Sequence, residues 1–284
     1  MKKSSFTLLV LISFLLSLVS SLASAPPAPA LLRVALYDGG GIAPTSEGNL
    51  TVVLNALVVK GVIGSVTILL GPDIATKLTR ASFDVIVFPG GGGRGEATGI
   101  GAAGEAAVVT FVNGGGGYYG TCAGAYLAGT ASCCETAAIK SYCNGTIGCG
   151  PVSYALKLVD FAATEPWDRG HGYVSVMYTD AAIAVLHLDA TVYSNKNISI
   201  LYYQGPIVDK SYNNNGFTVG SSFTTEIHSL HPAETTGQML GAPALMMSTF
   251  GQGRVLLSPP HPEETIPRMD DVIEAYTLWV GKVI

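Results

Sequence analysis

An α/β fold built on a mostly parallel sheet is the expectation for this chain, and three observations carry it. Strand-like apolar runs alternate with helix-period segments from Leu31 to Val112. Two of those runs end in glycine-rich loops, Asp38-Gly39-Gly40-Gly41 and Pro89-Gly90-Gly91-Gly92-Gly93. The stretch from Gly115 to Ala128 reads as a short strand that turns sharply into a helix. Continuous apolar strands are buried on both faces, so helices are expected above and below the sheet. In such sheets ligands sit outside the C-terminal ends of the strands.

The chain opens with Lys2 and Lys3, an apolar run from Phe6 to Val19 and small residues up to Ala25. This is the layout of a secretory signal peptide, expected over residues 1–23 with cleavage after Ala25 as the alternative. An uncleaved anchor is disfavoured, because the run is shorter than the roughly 20 residues a bilayer span needs. Pro26, Pro27 and Pro29 make residues 24–30 a stiff spacer. The remainder, 31–284, is expected to be one domain. Whole-chain composition is 48 % hydrophobic and 12 % charged, enough for one substantial core. Loss of Lys2 and Lys3 takes the net charge from −5 to −7, and no basic run is present, so nucleic acid is not an expected partner.

Strands are expected at Leu31 to Tyr37, Val66 to Leu70 and Asp84 to Phe88, with helices at Asn49 to Val59, Asp73 to Arg80 and Ala102 to Val112. Further strands are expected at Tyr173 to Tyr178, Ala190 to Tyr193, Ile198 to Tyr203 and Gly216 to Thr224. Gly251-Gln252-Gly253 joins Ala244 to Phe250 and Arg254 to Ser258 as a hairpin, and an amphipathic helix closes the chain over Ile266 to Val280.

Cys122 stands at the corner of the strand-to-helix turn, in the pattern Gly120-Thr121-Cys122-Ala123-Gly124. A residue there points out of the sheet at a helix N-terminus, where free N–H groups and the dipole favour a thiolate and can hold an oxyanion. The bland reading is a small buried hydrophobe. The loop from Gly90 to Gly95 carries neither a dinucleotide nor a P-loop pattern; it is better used as one half of an oxyanion hole, with the N–H of Ala123 as the other. A cysteine nucleophile needs a base, and the base needs an orienting acid. Pro260-His261-Pro262-Glu263, at the end of the last strand, supplies both in a stiff loop. Alone it reads as a surface loop; joined to Cys122 it reads as a site. Asp38 is a candidate for tuning Cys122 if their strand ends are neighbours. Tyr202-Tyr203-Gln204-Gly205-Pro206 either lines the crevice or is an ordinary sheet edge.

Cys133, Cys134, Cys143 and Cys149 crowd into an insert at about 132–150. In an oxidising compartment they suggest two disulfides that join each of the first pair to one of the second, leaving Cys122 free. Zinc is the rival, without paired C-x-x-C units. Sequons at Asn49, Asn144 and Asn197 fit a glycosylated surface. His171, His187, His228 and His231 lack ligand spacing, so neither metal nor cofactor is expected.

The GTCAGAYLAG, FPGGGG and SPPHPE stretches resemble the class I glutamine amidotransferase superfamily. With VALYDGG, GGGGYYGTCAGAY, YYQGP and GQGRVLLSPPHPE, the chain from about Leu31 to Glu264 is similar to the biotin–protein ligase N-terminal-domain-like family. The resemblance implies a flavodoxin-like three-layer sandwich, Cys122 as nucleophile, His261 as base, Glu263 as orienting acid, and oxyanion donors at Gly91 and Ala123. No ligase or synthetase segment follows, so biotin-ligase activity is not carried over. The expectation is a secreted hydrolase of a small-molecule or peptide amide acting through a thioester. A non-catalytic binding module and a cysteine peptidase are the alternatives.

Overall fold

Tyr37, Phe88 and Tyr118 stack in a row across three neighbouring strands, with ring centroids 4.9 and 5.5 Å apart. The strands are β1 (Arg33–Tyr37), β3 (Val85–Phe88) and β4 (Gly117–Thr121). Stacked aromatic pairs of this kind add about 0.5–1.5 kcal/mol each beyond the area they bury. The computed structural model describes residues 31–132, 155–163, 170–208, 216–227 and 237–284. Leader and spacer, the four insert cysteines, Asn144, His228 and His231 lie outside the described residues. Leu31–Ile284 group as one compact unit.

Alternate residues of β1 face opposite cores, as the period of two demands. Val34 and Leu36 join one buried cluster with Leu50, Val53, Leu54 and Leu57 of α1 (Pro44–Val59) and with Val272, Ile273 and Tyr276 of α7 (Asp270–Val280). Ala35 and Tyr37 join the other, with Ile74 of α2 (Gly71–Lys77) and Ile100, Val108 and Phe111 of α3 (Gly93–Asn113). The result is three layers, as expected.

The remaining described elements are β2 (Ser65–Leu69), α4 (Ala123–Ala128), β5 (Ala131–Ser132), β6 (Ala162–Ala163), β7 (His171–Tyr178), α5 (Asp180–Val185), α6 (Ala190–Tyr193), β8 (Ile198–Tyr203), β9 (Thr218–Phe223), β10 (Pro243–Phe250) and β11 (Gly253–Ser258). Nine strands form one mixed sheet, ordered β2-β1-β3-β4-β11-β10-β9-β7-β8, and β5 pairs with β6. The first five strands in that order are mutually parallel. Their 2-1-3-4-5 arrangement is that of a flavodoxin-like sheet, with the C-terminal β11 in the fifth place. The other four are antiparallel to their neighbours, and β10 and β11 form the expected hairpin. This half curls back, so that Leu201 of β8 bridges His261 beyond β11.

Three expectations need correction. Ala190 to Tyr193 is one helical turn, not a strand, because the Asp189 side chain accepts from Thr191 N–H at 2.8 Å and caps it. Helix α3 begins at Gly93 instead of Ala102, so the loop after β3 is only Pro89 to Gly92; glycines of low propensity hide the first turns. That helix kinks at Gly101, whose φ is 62°. The last helix starts at Asp270 instead of Ile266, since the residue before Pro267 avoids helical backbone and the two acids Asp270 and Asp271 favour the first turn. Among the described residues, no helix is long and apolar enough to cross a membrane.

Candidate active site

Cys122 occupies the corner between β4 and α4 with φ 47° and ψ −101°, a conformation that L-residues other than glycine avoid. The corner is pinned from both neighbouring strands. Cys122 N–H donates to Ser258 O of β11 at 2.9 Å, and Gly124 N–H to Pro89 O beyond β3 at 3.2 Å. The flanking glycines are steric requirements. A Cβ on Gly120 would lie 2.5 Å from Gly124 O, and one on Gly124 would lie 2.6 Å from Phe88 O. The thiol is 4 % exposed, and Sγ donates to the carbonyl of Tyr203 at 3.3 Å. The Tyr202–Gly205 stretch therefore lines this crevice.

His261 follows β11 in a loop held through its backbone. Its N–H donates to Leu201 O at 2.8 Å, and its carbonyl accepts from Thr265 Oγ1 at 2.7 Å. The ring is 2 % exposed. Nδ1 lies 2.8 Å from Glu263 Oε1, and Glu264 Oε2 is 3.4 Å away. Glu263 is fully buried and well supplied with donors: Ser46 Oγ donates to Oε1 at 2.6 Å, and Thr121 Oγ1 is 3.3 Å from Oε2. Ser46 in turn accepts the N–H of Gly90 at 2.8 Å. A chain of contacts thus runs from the loop after β3, through α1, to the acid that holds the imidazole. His261 Nε2 is buried and makes no hydrogen bond among the described residues.

Burial pushes the imidazole of His261 down, but negative charge on Cys122 and the carboxylate of Glu263 outweigh it and hold the ring well above its usual range. Cys122 and His261 are therefore close enough to act on one another electrostatically, although the thiol S–H donates to the Tyr203 carbonyl. His261, Glu263 and Glu264 also place donor atoms within 4.8 Å of one another, a spacing open to a cation. Nδ1 and Oε1 are already committed to the hydrogen bonds just given, so the arrangement reads as an oriented base.

Gly91 and Ile42 form an isolated antiparallel bridge, flanked by Ala43 N–H to Gly90 O and Gly92 N–H to Gly41 O, both 2.7 Å. In such a wide pair the N–H of Gly91 turns away from its partner. Neither it nor the N–H of Ala123 donates a hydrogen bond among the described residues, so both stay available as donors. Asp38 sits at the end of β1, with its N–H on Leu69 O at 3.0 Å, and its charge is felt by Tyr37. Glu96, on the first turn of α3, is a further acid close enough to feel a charge on Cys122. Asn49 is partly buried on α1, while Asn197 is exposed and its Oδ1 accepts from Thr224 Oγ1 at 2.8 Å.

Sequence reasoning did not single out Ser46, Thr121, the Tyr203 carbonyl or Glu96. Ser46 meets Glu263 across 217 residues, a separation no local pattern reports. Glu96 lies in a glycine-rich stretch where an exposed acid is the ordinary reading.

The family described as "Biotin-protein ligase, N terminal" matches residues 32–277. No curated protein matches. Among solved structures, a glutamine amidotransferase is similar at 16 % identity and a TM-score of 0.50, covering 88 % of this chain and 98 % of that one. A ThuA-like protein from Bacteroides uniformis is similar at 15 % identity and a TM-score of 0.51, covering 90 % and 94 %. Another, from Parabacteroides merdae, gives 10 %, 0.50, 89 % and 91 %. These likenesses show a shared fold.

Proposed function

Since the chain belongs to the biotin–protein ligase N-terminal family and has an amidotransferase-like fold, we propose that it is a secreted cysteine-dependent hydrolase of an amide or related acyl bond. The observation that carries this reading is the pairing of a strained Cys122 corner with a buried His261 whose Nδ1 is anchored on Glu263 and whose Nε2 is free.

In this reading the thiol leaves Tyr203, passes its proton to His261 Nε2 and attacks the acyl carbon. The N–H groups of Gly91 and Ala123 hold the oxyanion. His261 returns the proton to the departing amine, leaving a thioester on Cys122. Water, deprotonated by the same imidazole, releases the acid and restores the thiol. Glu263 fixes the tautomer and offsets the imidazolium charge without itself being protonated. Export through a leader at residues 1–23 would place the substrate outside the cell.

The test follows iodoacetamide labelling of Cys122 in the unreduced protein from pH 5 to 9, beside ammonia release from a panel of primary amides. Fast labelling that collapses in His261→Ala, with turnover lost in Cys122→Ala, supports the reading. Slow labelling, alike in both proteins, overturns it.

A second reading, a binding module for a small amide or carboxylate, draws on the resting thiol, nearly fully buried and hydrogen-bonded to a backbone carbonyl. Amide binding without turnover in the unmodified protein favours it.

A further inference from the structure

Glu96 is fully buried, and neither of its carboxyl oxygens has a hydrogen-bond partner among the described residues. Native folds seldom leave a buried acid in that state, because its lost hydration is not replaced. Its backbone N–H donates to Gly92 O at 3.0 Å, so it hangs from the same loop that presents the Gly91 N–H, and Gly91 and Gly92 are exposed.

The groups around Glu96 offer it nothing. Tyr37 of β1 and Tyr118 of β4 both feel its charge. Their hydroxyls are already given away, Tyr37 to Gly40 O at 3.0 Å and Tyr118 to Gly124 O at 2.7 Å. Arg94, on the same turn, is exposed to solvent. A charge on Cys122 would act on it with the same sign, so the nucleophile offers it no partner either.

We propose that Glu96 is a substrate-recognition carboxyl, which takes the primary ammonium of an amine-bearing acyl substrate beside Cys122. An ammonium brings three N–H donors, enough for both orphan oxygens, and a positive charge next to two acids. A carboxylate ligand would bring no donor to the orphan oxygens and would add negative charge beside them. A neutral amide would leave the charge unmatched. The position at the head of α3 suits a carboxylate that ionises when its partner arrives, since the helix dipole favours negative charge there. The proposal rests on Cys122 being the nucleophile.

The experiment alkylates Cys122 of the full chain with 2-bromoethylamine, iodoacetamide and iodoacetate near neutral pH, each rate divided by that of N-acetylcysteine. The expected result is a cation preference of about tenfold over iodoacetamide, the size of one charge-assisted hydrogen bond, falling to about twofold or less in Glu96→Gln. Ethylammonium should protect wild-type Cys122 from 2-bromoethylamine while propionate does not, a readout independent of how the variant folds. An unchanged preference in Glu96→Gln, no protection by ethylammonium, or a preference for iodoacetate would overturn the proposal. Slow labelling by all three reagents would instead remove the nucleophile on which it stands.

Discussion

The Cys122 thiol donates to the Tyr203 carbonyl at 3.3 Å while Nε2 of His261 stands unpaired in the same buried space. In the resting arrangement the thiol keeps its proton and directs it at a backbone acceptor of β8. Cys122 and His261 nevertheless act on one another electrostatically.

The backbone at Cys122 holds a positive φ of 47°, which a non-glycine residue adopts only under strain. Cys122→Gly should abolish turnover yet unfold in urea no earlier than wild type, because relief of a positive φ, worth about 1–3 kcal/mol, offsets the added chain entropy. A large loss of stability would show that the corner is relaxed.

Glu263 accepts from the side chains of His261 and Ser46, with Thr121 also in reach. Glu263→Ala should cost about 2–4 kcal/mol by leaving those buried donors unsatisfied, and Ser46→Ala about 1 kcal/mol. Labelling of Cys122 should fall by about tenfold or more in Glu263→Gln, as expected when a base loses its orienting acid. Equal labelling in wild type and variant would separate Glu263 from the chemistry.

Gly124→Ala places its Cβ 2.6 Å from the Phe88 carbonyl, and backbone cannot yield as a flexible side chain can. The corner should shift, with destabilisation of about 1–3 kcal/mol or more and loss of labelling together. Denaturant midpoints and labelling rates report the two effects separately.

Burial, with the negative charge of Cys122 second, raises Glu96 well above the usual carboxylate range. A raised native value means the folded state holds the proton more tightly than the unfolded chain. The stabilising contribution is complete below the unfolded value of about 4.3 and is lost as pH rises through the folded one. Glu96→Gln removes that loss, so its stability advantage over wild type should grow from pH 4 to pH 8. A pH-independent difference in urea midpoints would contradict this.

Once the Cys122 proton has moved to His261, the negative charges of Cys122 and Glu263 hold the ring well above its usual range despite burial, so the thiolate–imidazolium pair persists into near-neutral pH. Labelling at pH 6, as a fraction of that at pH 9, should therefore drop in His261→Ala. An identical ratio in both proteins would mean the ring does not assist the thiol.

What could be read from the residues was local. The corner at Cys122 shows in glycine spacing, and His261 with Glu263 in a proline-bounded loop, because close approach and stiff turns demand particular residue types. Helix α3 hid behind glycines, and Ala190 to Tyr193 looked extended because Thr191 and Val192 are β-branched, until the Asp189 cap decided the backbone. The support of Glu263 by Ser46, the return of β8 to His261, and the burial of Glu96 depend on which distant segments meet. Hydrophobic period fixes faces, not partners.

The contact between Ser46 and Glu263 also sets an order of events. A ribosome delivers the cysteine well before the histidine that would serve it, and the acid that steadies the histidine closes onto a serine made near the start. The pairing cannot form until this late segment folds back onto the early one. A chain stopped before Glu263 would carry Cys122 without the carboxylate that Ser46 meets.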